Sequence, residues 1–283
     1  MLPSTITSFL TINDYGPVTS TRPVGGGCIS SGKILTTQSG KTFFMKNNPN
    51  TPADMFHRES EGLAALRVAD GPTIPEVYLH GRDFILLEDL APAPHSQDYW
   101  LTFGRQLAAL HNHTHPSFGF EHDNYIGSTR QPNPWIADGH TFFAENRLLF
   151  QAQMAQKRGL LGKSEMREVE NIVNRLVRLV PSQPASLLHG DLWSGNAITD
   201  SAGAPAIIDP AVYYGWAEAE LAMTTIFGAF SASFYQAYEE IRPLKPGYHN
   251  RFPIYNLYHL LNHLNIFGRG YLGQVQATLR RYS

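Results

Sequence analysis

Leu187-Leu188-His189-Gly190-Asp191-Leu192-Trp193-Ser194-Gly195-Asn196 is followed a few residues later by Ala206-Ile207-Ile208-Asp209-Pro210-Ala211. In the first run an apolar pair leads into His-Gly-Asp, and Asn196 stands close behind Asp191. In the second, a short apolar run ends on another aspartate. The order suits transfer of a phosphoryl group. One carboxylate faces an attacking hydroxyl, while a separate amide and carboxylate face a metal, so that base and metal ligands do not compete.

Protein kinases carry a base Asp, a magnesium-binding Asn and a magnesium-binding Asp in this order. The rest of the chain can be read as a test of that likeness. Its 283 residues suffice for one large domain or two lobes. Hydrophobic residues make up 42% and charged residues 16%, a globular rather than a disordered balance. A formal net charge of −2 offers no basic bulk for nucleic acid or an anionic membrane. No apolar run approaches the ~18 residues of a spanning helix, and Met1-Leu2-Pro3-Ser4-Thr5 lacks the basic start of a signal peptide. The single cysteine, Cys28, cannot form an internal disulfide, which fits a cytoplasmic protein.

Residues 1–23 read as a short helix and a polar lead-in. The glycine-rich stretch that follows, with Gly26, Gly27, Cys28 and Ile29 at its centre, precedes two predicted strands, 33–37 and 41–46, around a Ser39-Gly40 turn. Such a turn lets backbone N–H groups approach phosphate oxygens. A plain tight hairpin has a similar signature, and Ser30 stands where a kinase loop has its third glycine. Lys46 closes the second strand. Thr51-Pro52-Ala53-Asp54 predicts a helix start with Thr51 as cap, and Met55, Phe56, Leu63 and Leu66 carry that helix to about Ala69. Lys46 and a glutamate of that helix, Glu59 or Glu61, then read as a phosphate-binding lysine and the residue that positions it, with a surface lysine and a solvated glutamate as the plain alternative. Stretches 76–79 and 84–87 predict two more strands. The expected fold class is α+β, a two-lobed protein-kinase-like fold. Its N-lobe (1–90) is a five-stranded antiparallel sheet plus helix, and its C-lobe (91–283) is mainly helical. Glu88, Asp89 and Leu90 would form a hinge with backbone groups available to adenine, although Ala91-Pro92-Ala93-Pro94 also reads as an ordinary linker.

In the C-terminal part, 97–113 has apolar residues at helical spacing and 116–135 reads as a long structured loop. Segments 141–158 and 163–179 are amphipathic helices expected only to pack. Further helices are expected from about Ala217, with Glu218 and Glu220, and over 230–241 and 255–267. His111, His113 and His115 alternate at a helix end, where one face cannot gather all three around a metal. His259 and His263 share a helix face without the adjacent Glu of a His-Glu-x-x-His zinc motif. Hydrogen bonds in the core or a substrate pocket are expected of them.

Together these residues resemble the signature of the fructosamine-3-kinase (ketosamine kinase) family. The likeness rests on His189–Asn196, Asp209-Pro210-Ala211 and Tyr213-Tyr214-Gly215. It also rests on Gly26–Ser30, Phe43-Phe44-Met45-Lys46, Met55-Phe56 with Glu59, Asp123-Asn124-Tyr125-Ile126-Gly127, and Leu257–His263. Aminoglycoside and choline kinases share His-x-Asp, Asn and Asp but not Leu192-Trp193 or Tyr213-Tyr214-Gly215. The resemblance implies a kinase-like fold and ATP- and magnesium-dependent phosphorylation of the 3-hydroxyl of a ketosamine, whose product sheds the sugar and restores the amine. By position it makes Asp191 the base and Asn196 and Asp209 the magnesium ligands. Lys46 with Glu59 becomes the ATP-phosphate pair, and Trp193, Tyr214 and His263 become substrate contacts. Where the family has His-Arg after Tyr-Tyr-Gly, this chain has Trp216-Ala217, with Glu218 and Glu220 kept.

Two rival readings stay open: a kinase for another amino sugar or amino alcohol, and a non-catalytic nucleotide-binding protein on the same fold. The partner expected is a small or protein-bound ketosamine, and the chain is expected to be a monomer or a homodimer joined through Cys28.

Overall fold

Alternation of side chains along the strands decides which face of the N-lobe sheet carries the chemistry. The computed structural model describes residues 2–25 and 31–283. Strands β1 (Val18–Val24), β2 (Ser31–Thr37), β3 (Thr42–Asn47), β4 (Val77–His80) and β5 (Phe84–Glu88) pair antiparallel in the order β1-β2-β3-β5-β4. Phe43, Met45, Phe84 and Leu86 share one face and pack with Ile6 and Leu10 of helix α1 (Ser4–Ile12). Ile85 and Leu87 share the other face with Phe56 and Leu63 of helix α2 (Met55–Ala65). Lys46, next after Met45, therefore falls on the α2 side. Gly26, Gly27, Cys28 and Ile29 lie outside the described residues.

The C-lobe begins with α3 (Tyr99–His111), β6 (Thr114–His115) and the hairpin β7 (Asn124–Ile126) and β8 (Thr129–Gln131). A helix in three stretches follows: α4 (Gly139–Phe143), a π-helical turn (Ala144–Leu149) and α5 (Phe150–Lys157). Next come α6 (Lys163–Leu179), β9 (Ala185–Leu188), the hairpin β10 (Ala197–Thr199) and β11 (Pro205–Ile207), β12 (Tyr213–Gly215), α7 (Ala217–Met223) and α8 (Ala232–Ile241). The chain ends with α9 (Tyr248–Phe267), a 3-10 turn (Arg269–Tyr271) and α10 (Leu272–Tyr282). β9 sits between β12 and β6 in an antiparallel sheet, so Leu187 and Leu188 are core-strand residues that deliver His189 to the strand end. The lobes share a core on the α2 side, where Phe56, Ile85 and Leu87 belong to one buried cluster with Phe103, Leu192 and Val212.

Several expectations need correction. The fifth strand of the sheet is β1, inside the stretch read as a polar lead-in. It is an edge strand whose Thr19, Ser20, Thr21 and Arg22 are exposed, so it lacks an apolar alternation. Thr51 is not the cap of α2. Its hydroxyl donates to Asn48 O, and the helix starts at Met55 and stops at Ala65 rather than near Ala69. The segment 116–135 contains the β7–β8 hairpin. Helix α9 starts at Tyr248, with Pro253 inside it, and α10 was not anticipated.

The segment linking the lobes is held by the β10–β11 hairpin. Ala93 N–H donates to Asp200 O (3.1 Å) and Ser96 N–H to Gly203 O (3.0 Å). On its other side the hairpin bridges to the N-lobe, with Thr73 N–H donating to Pro205 O (2.9 Å) and Ile207 N–H to Thr73 O (3.0 Å). Gly203 has φ +76°, and a Cβ there would lie 2.4 Å from Pro94 O.

The π-helical turn places Arg147 wholly inside the C-lobe. Its guanidinium donates to Pro132 O (2.7 Å), Asn146 O (3.0 Å) and Asn133 Oδ1 (2.7 Å), and lies 4.0 Å from the Tyr213 ring centre. No carboxylate pairs with it among the described residues; carbonyl dipoles and aromatic faces hold the cation instead. The network continues to the cleft. Asn133 Nδ2 and Gln131 Nε2 both donate to Asn124 Oδ1, Asn124 Nδ2 donates to Val212 O (2.7 Å), and Tyr258 O–H donates to Gln131. Arg147→Met fills the space but leaves Pro132 O and Asn133 Oδ1 without donors. It is expected to cost about 3 kcal/mol and to lower Tm by roughly 8 °C in thermal unfolding; an unchanged Tm would mean that these bonds contribute nothing net.

Candidate active site

His-Gly-Asp is shaped by a backbone contact. Gly190 has φ +85°, and a Cβ on it would sit 2.0 Å from Ala211 O, so the position excludes every side chain. Ala211 N–H donates to His189 O (2.8 Å), joining the loop after β9 to the turn after Asp209. The His189 ring spans the same gap. Nε2 lies 2.8 Å from Ile208 O and must donate to it, while Nδ1 accepts from Asp191 N–H (3.2 Å). Burial holds this imidazole below the usual histidine range. The β10–β11 hairpin starts just after Asn196 and ends just before Asp209. Ile208 N–H donates to Asn196 O (3.1 Å), so the two residues emerge side by side. Asp209 takes a left-handed φ of 58°, which an aspartate tolerates better than most residues.

Three of the charged residues meet directly. Lys46 Nζ lies 2.7 Å from Glu59 Oε1 and 2.9 Å from Asp209 Oδ1. Burial works against the ammonium, but Asp209 and Glu59 outweigh it and hold Lys46 above the ordinary lysine value. Asp191 faces the same cleft. Burial, with the negative charges of Asp209 and Glu220 adding to it, pushes its carboxyl up to about 7, against the opposing hydrogen bond from Asn196. Asn196 Nδ2 donates to Asp191 O (2.8 Å), which turns its Oδ1 toward the role of acceptor. Lys46 occupies one oxygen of Asp209 and leaves the other. A neutral amide oxygen and a carboxylate oxygen side by side are the hard donors that magnesium takes when waters and phosphates complete its shell.

Two further residues hold this geometry, and sequence reasoning gave neither a role. Glu220 of α7 is buried and accepts from Gly190 N–H (2.6 Å), His189 N–H (2.8 Å) and His111 Nε2 (3.0 Å). Burial would raise this carboxyl, but His111 and the backbone donors outweigh it and keep it low. His111 is oriented in turn by Tyr238 O–H at Nδ1 (2.8 Å). Across the mouth of the cleft, Tyr125 of β7 donates to Asp54 Oδ1 at the start of α2 (2.7 Å), so a C-lobe hairpin braces the helix that carries Glu59. Tyr125 appeared in the sequence only as part of a motif.

The cleft measures about 410 Å³. Lys46, Glu59, Asp191, Asn196, Asp209, Trp193 and His263 all line it. Tyr214 does not. Alternation along β12 sends Tyr213 and Gly215 into the core and Tyr214 to the opposite face, against His115 (5.1 Å between ring centres) and Trp135 (6.0 Å). Glu88 ends β5, Asp89 and Leu90 follow it, and none of the three is among the described residues lining the cleft. The Glu88 carboxylate accepts from Glu76 N–H and that of Asp89 from Ala91 N–H. The alternating histidines diverge, His111 toward Glu220 and His115 onto Trp135 (4.2 Å). Trp216 lies in an aromatic cluster with Phe118, His140, Phe143 and Tyr255. Glu218 is met by Arg251 of α9 through two bonds of 2.6 and 2.7 Å.

Comparison with known proteins places this geometry. The sequence profile of the family described as Fructosamine kinase matches residues 4–283. A probable ketoamine kinase of Synechocystis sp. is 41% identical over 267 residues, 92% of this chain and 89% of that protein. A chloroplastic protein-ribulosamine 3-kinase of Oryza sativa subsp. indica is 37% identical over 275 residues, 94% of this chain and 79% of that protein. The crystal structure of a Thermobifida fusca protein assigned to fructosamine-3-kinase superposes with a TM-score of 0.89 at 29% identity, over 99% of this chain and 98% of that one. An aminoglycoside phosphotransferase shares the fold at 16% identity, with a TM-score of 0.60 over 99% of this chain and 100% of that one. The two-lobed, kinase-like chain is a member of the fructosamine kinase family.

Proposed function

We propose that the protein transfers the γ-phosphoryl group of ATP to the 3-hydroxyl of a ketosamine, a step that leads to release of the sugar and recovery of the amine. The observation that carries this is the meeting of Lys46 with both Glu59 and Asp209, in one cleft with Asp191 and Asn196. Asp191 accepts the proton of the 3-hydroxyl as that oxygen bonds to the γ-phosphorus, and the bond from phosphorus to the ADP oxygen breaks. Lys46 holds the phosphates in this reading, with Gly26, Gly27, Cys28 and Ile29 as the further phosphate-binding residues that their sequence suggests. Backbone groups of Glu88, Asp89 and Leu90 receive the adenine. Asn196 and Asp209 would hold magnesium, which when bound offsets charge on the phosphate oxygens.

The acceptor sugar lies against Trp193 in this reading. His263 contributes a neutral hydrogen-bond acceptor. Its Nδ1–H donates to His259 O (2.8 Å), which leaves Nε2 unprotonated, and burial lowers its pKa. Glu220 acts through the backbone, fixing the two peptide N–H groups that aim Asp191. A protein of the cytoplasm and a monomer are the simplest setting.

The decisive assay measures ATP consumption with fructosamine, ribulosamine and erythrulosamine substrates, set against aminoglycosides and choline. Asp191→Ala is expected to fold and bind ATP but to lose roughly 10³-fold in kcat; near-wild-type turnover would remove Asp191 from its role. Glu220→Gln places an amide among three donors. It is expected to lower kcat about tenfold or more while the Kd for ATP changes little, since a buried mismatch of this kind costs about 1–3 kcal/mol. Equal losses in kcat and in ATP binding would point to general loosening rather than to aim of the loop.

A further inference from the structure

The proposed function uses the charged part of the cleft and leaves its apolar end unexplained. From Trp193, close behind Asp191 in the chain, aromatic rings follow one another outward. Trp193 to Phe227 is 5.7 Å between ring centres, Phe227 to His263 5.0 Å, His263 to Phe267 5.4 Å and His263 to Tyr271 5.1 Å. Ile266 completes the lining. The row ends at Phe267, whose surface is 48% exposed although it is a large apolar residue.

The local sequence builds this end deliberately. Helix α9 stops at Phe267 because Gly268 takes φ +82°, and the 3-10 turn that follows folds Tyr271 back to 6.0 Å from Phe267. Arg269 of that turn donates to Gly159 O (2.9 Å). Arg58, which also lines the cleft, is already held by Asp54 (3.3 Å) and Glu61 (2.8 Å). An exposed apolar ring row continuous with a reaction cleft fits a ligand group that is itself apolar.

Resting on the ketosamine reading, we propose that the row Phe227, His263, Ile266, Phe267 and Tyr271 receives the substituent on the substrate nitrogen. It would select ketosamines whose amine carries an extended uncharged aliphatic or aromatic chain. The sugar at Trp193 directs the nitrogen away from the phosphoryl donor, and this row is the apolar wall it then meets. Aliphatic chains lie on ring faces and aromatic ones stack, whereas a carboxylate placed here meets ring faces and finds Arg58 already paired with Asp54 and Glu61.

The test uses the full-length protein, ATP and magnesium with four ribulosamines, made from methylamine, hexylamine, benzylamine and 4-aminobutyrate. The hexyl and benzyl compounds are expected to exceed the methyl one by about tenfold in kcat/KM, mainly through KM, and the aminobutyrate compound is expected to gain nothing. Phe267→Ala and Tyr271→Ala are each expected to bring the hexyl-to-methyl ratio toward one. A flat series in the wild-type protein, a preference for the aminobutyrate compound, or a ratio unchanged in both variants would overturn the proposal. Turnover with a flat series defeats only the apolar exit, whereas no turnover of any ketosamine defeats the functional reading as well.

Discussion

Two backbone segments pass each other with no room between them. The loop after β9 and the turn after Asp209 touch where Gly190 faces the Ala211 carbonyl, and everything catalytic hangs from that crossing. Because position 190 carries no side chain, His189 can lock onto both segments, its carbonyl taken by Ala211 N–H and its ring by Ile208 O. Asp191 is thereby set on one side of the crossing and Asp209 on the other, where the charge of Asp209 adds to burial in raising the Asp191 carboxyl. Lys46 and a metal-ready pair of oxygens then have a defined place to act. A looser crossing would let the two carboxylates relax apart and lose the fixed positions that the backbone contact gives them.

Buried polar groups fix this crossing from behind, by two different electrostatic means. Glu220 is an anion surrounded by donors, two of them peptide N–H groups of the catalytic loop. Arg147 is a cation surrounded by carbonyl oxygens and ring faces, and its network ends on Val212 O and Ala211 O, just past the metal-ligand turn. Each satisfies its charge without a directly opposed ion pair of Arg with Glu. Each therefore places a fixed charge behind the cleft and ties the surrounding loops into one arrangement through the hydrogen bonds it makes.

Much of this was legible in the sequence, for reasons that can be named. The spacing of Asp191, Asn196 and Asp209 is local, because one short hairpin connects them. Lys46 follows from strand alternation, and Glu59 from the helix that must cover the same face. Other features depend on partners far away in the chain. Glu220 meets residues about 30 and 109 positions distant, and nothing in α7 marks it as other than a helical glutamate. Arg147 looked like one charge on an amphipathic helix, since the π-helical turn that rotates it inward has no sequence signature of its own. Tyr214 could have been placed from its sequence, as a strand through Tyr213-Tyr214-Gly215 necessarily sends the two tyrosines to opposite faces. The pairing of Glu218 with Arg251 joins residues 33 positions apart and becomes visible only once α9 is packed.

The hairpin that carries Asn196 and Asp209 at its base has its tip against the link between the lobes. That tip, with Ser201 and Ala202 exposed, resembles any surface turn in which sequence drift costs nothing. It is not such a turn. Gly203 is pressed against Pro94, and the strands behind it are bonded to Thr73, Ala93 and Ser96. A residue inserted there would shift the register of a very short ladder and displace Asn196 and Asp209 together. Mutational tolerance in this protein therefore should not follow distance from the substrate: a solvent-facing loop well outside the cleft inherits the same intolerance as the catalytic loop, because the two are ends of one lever.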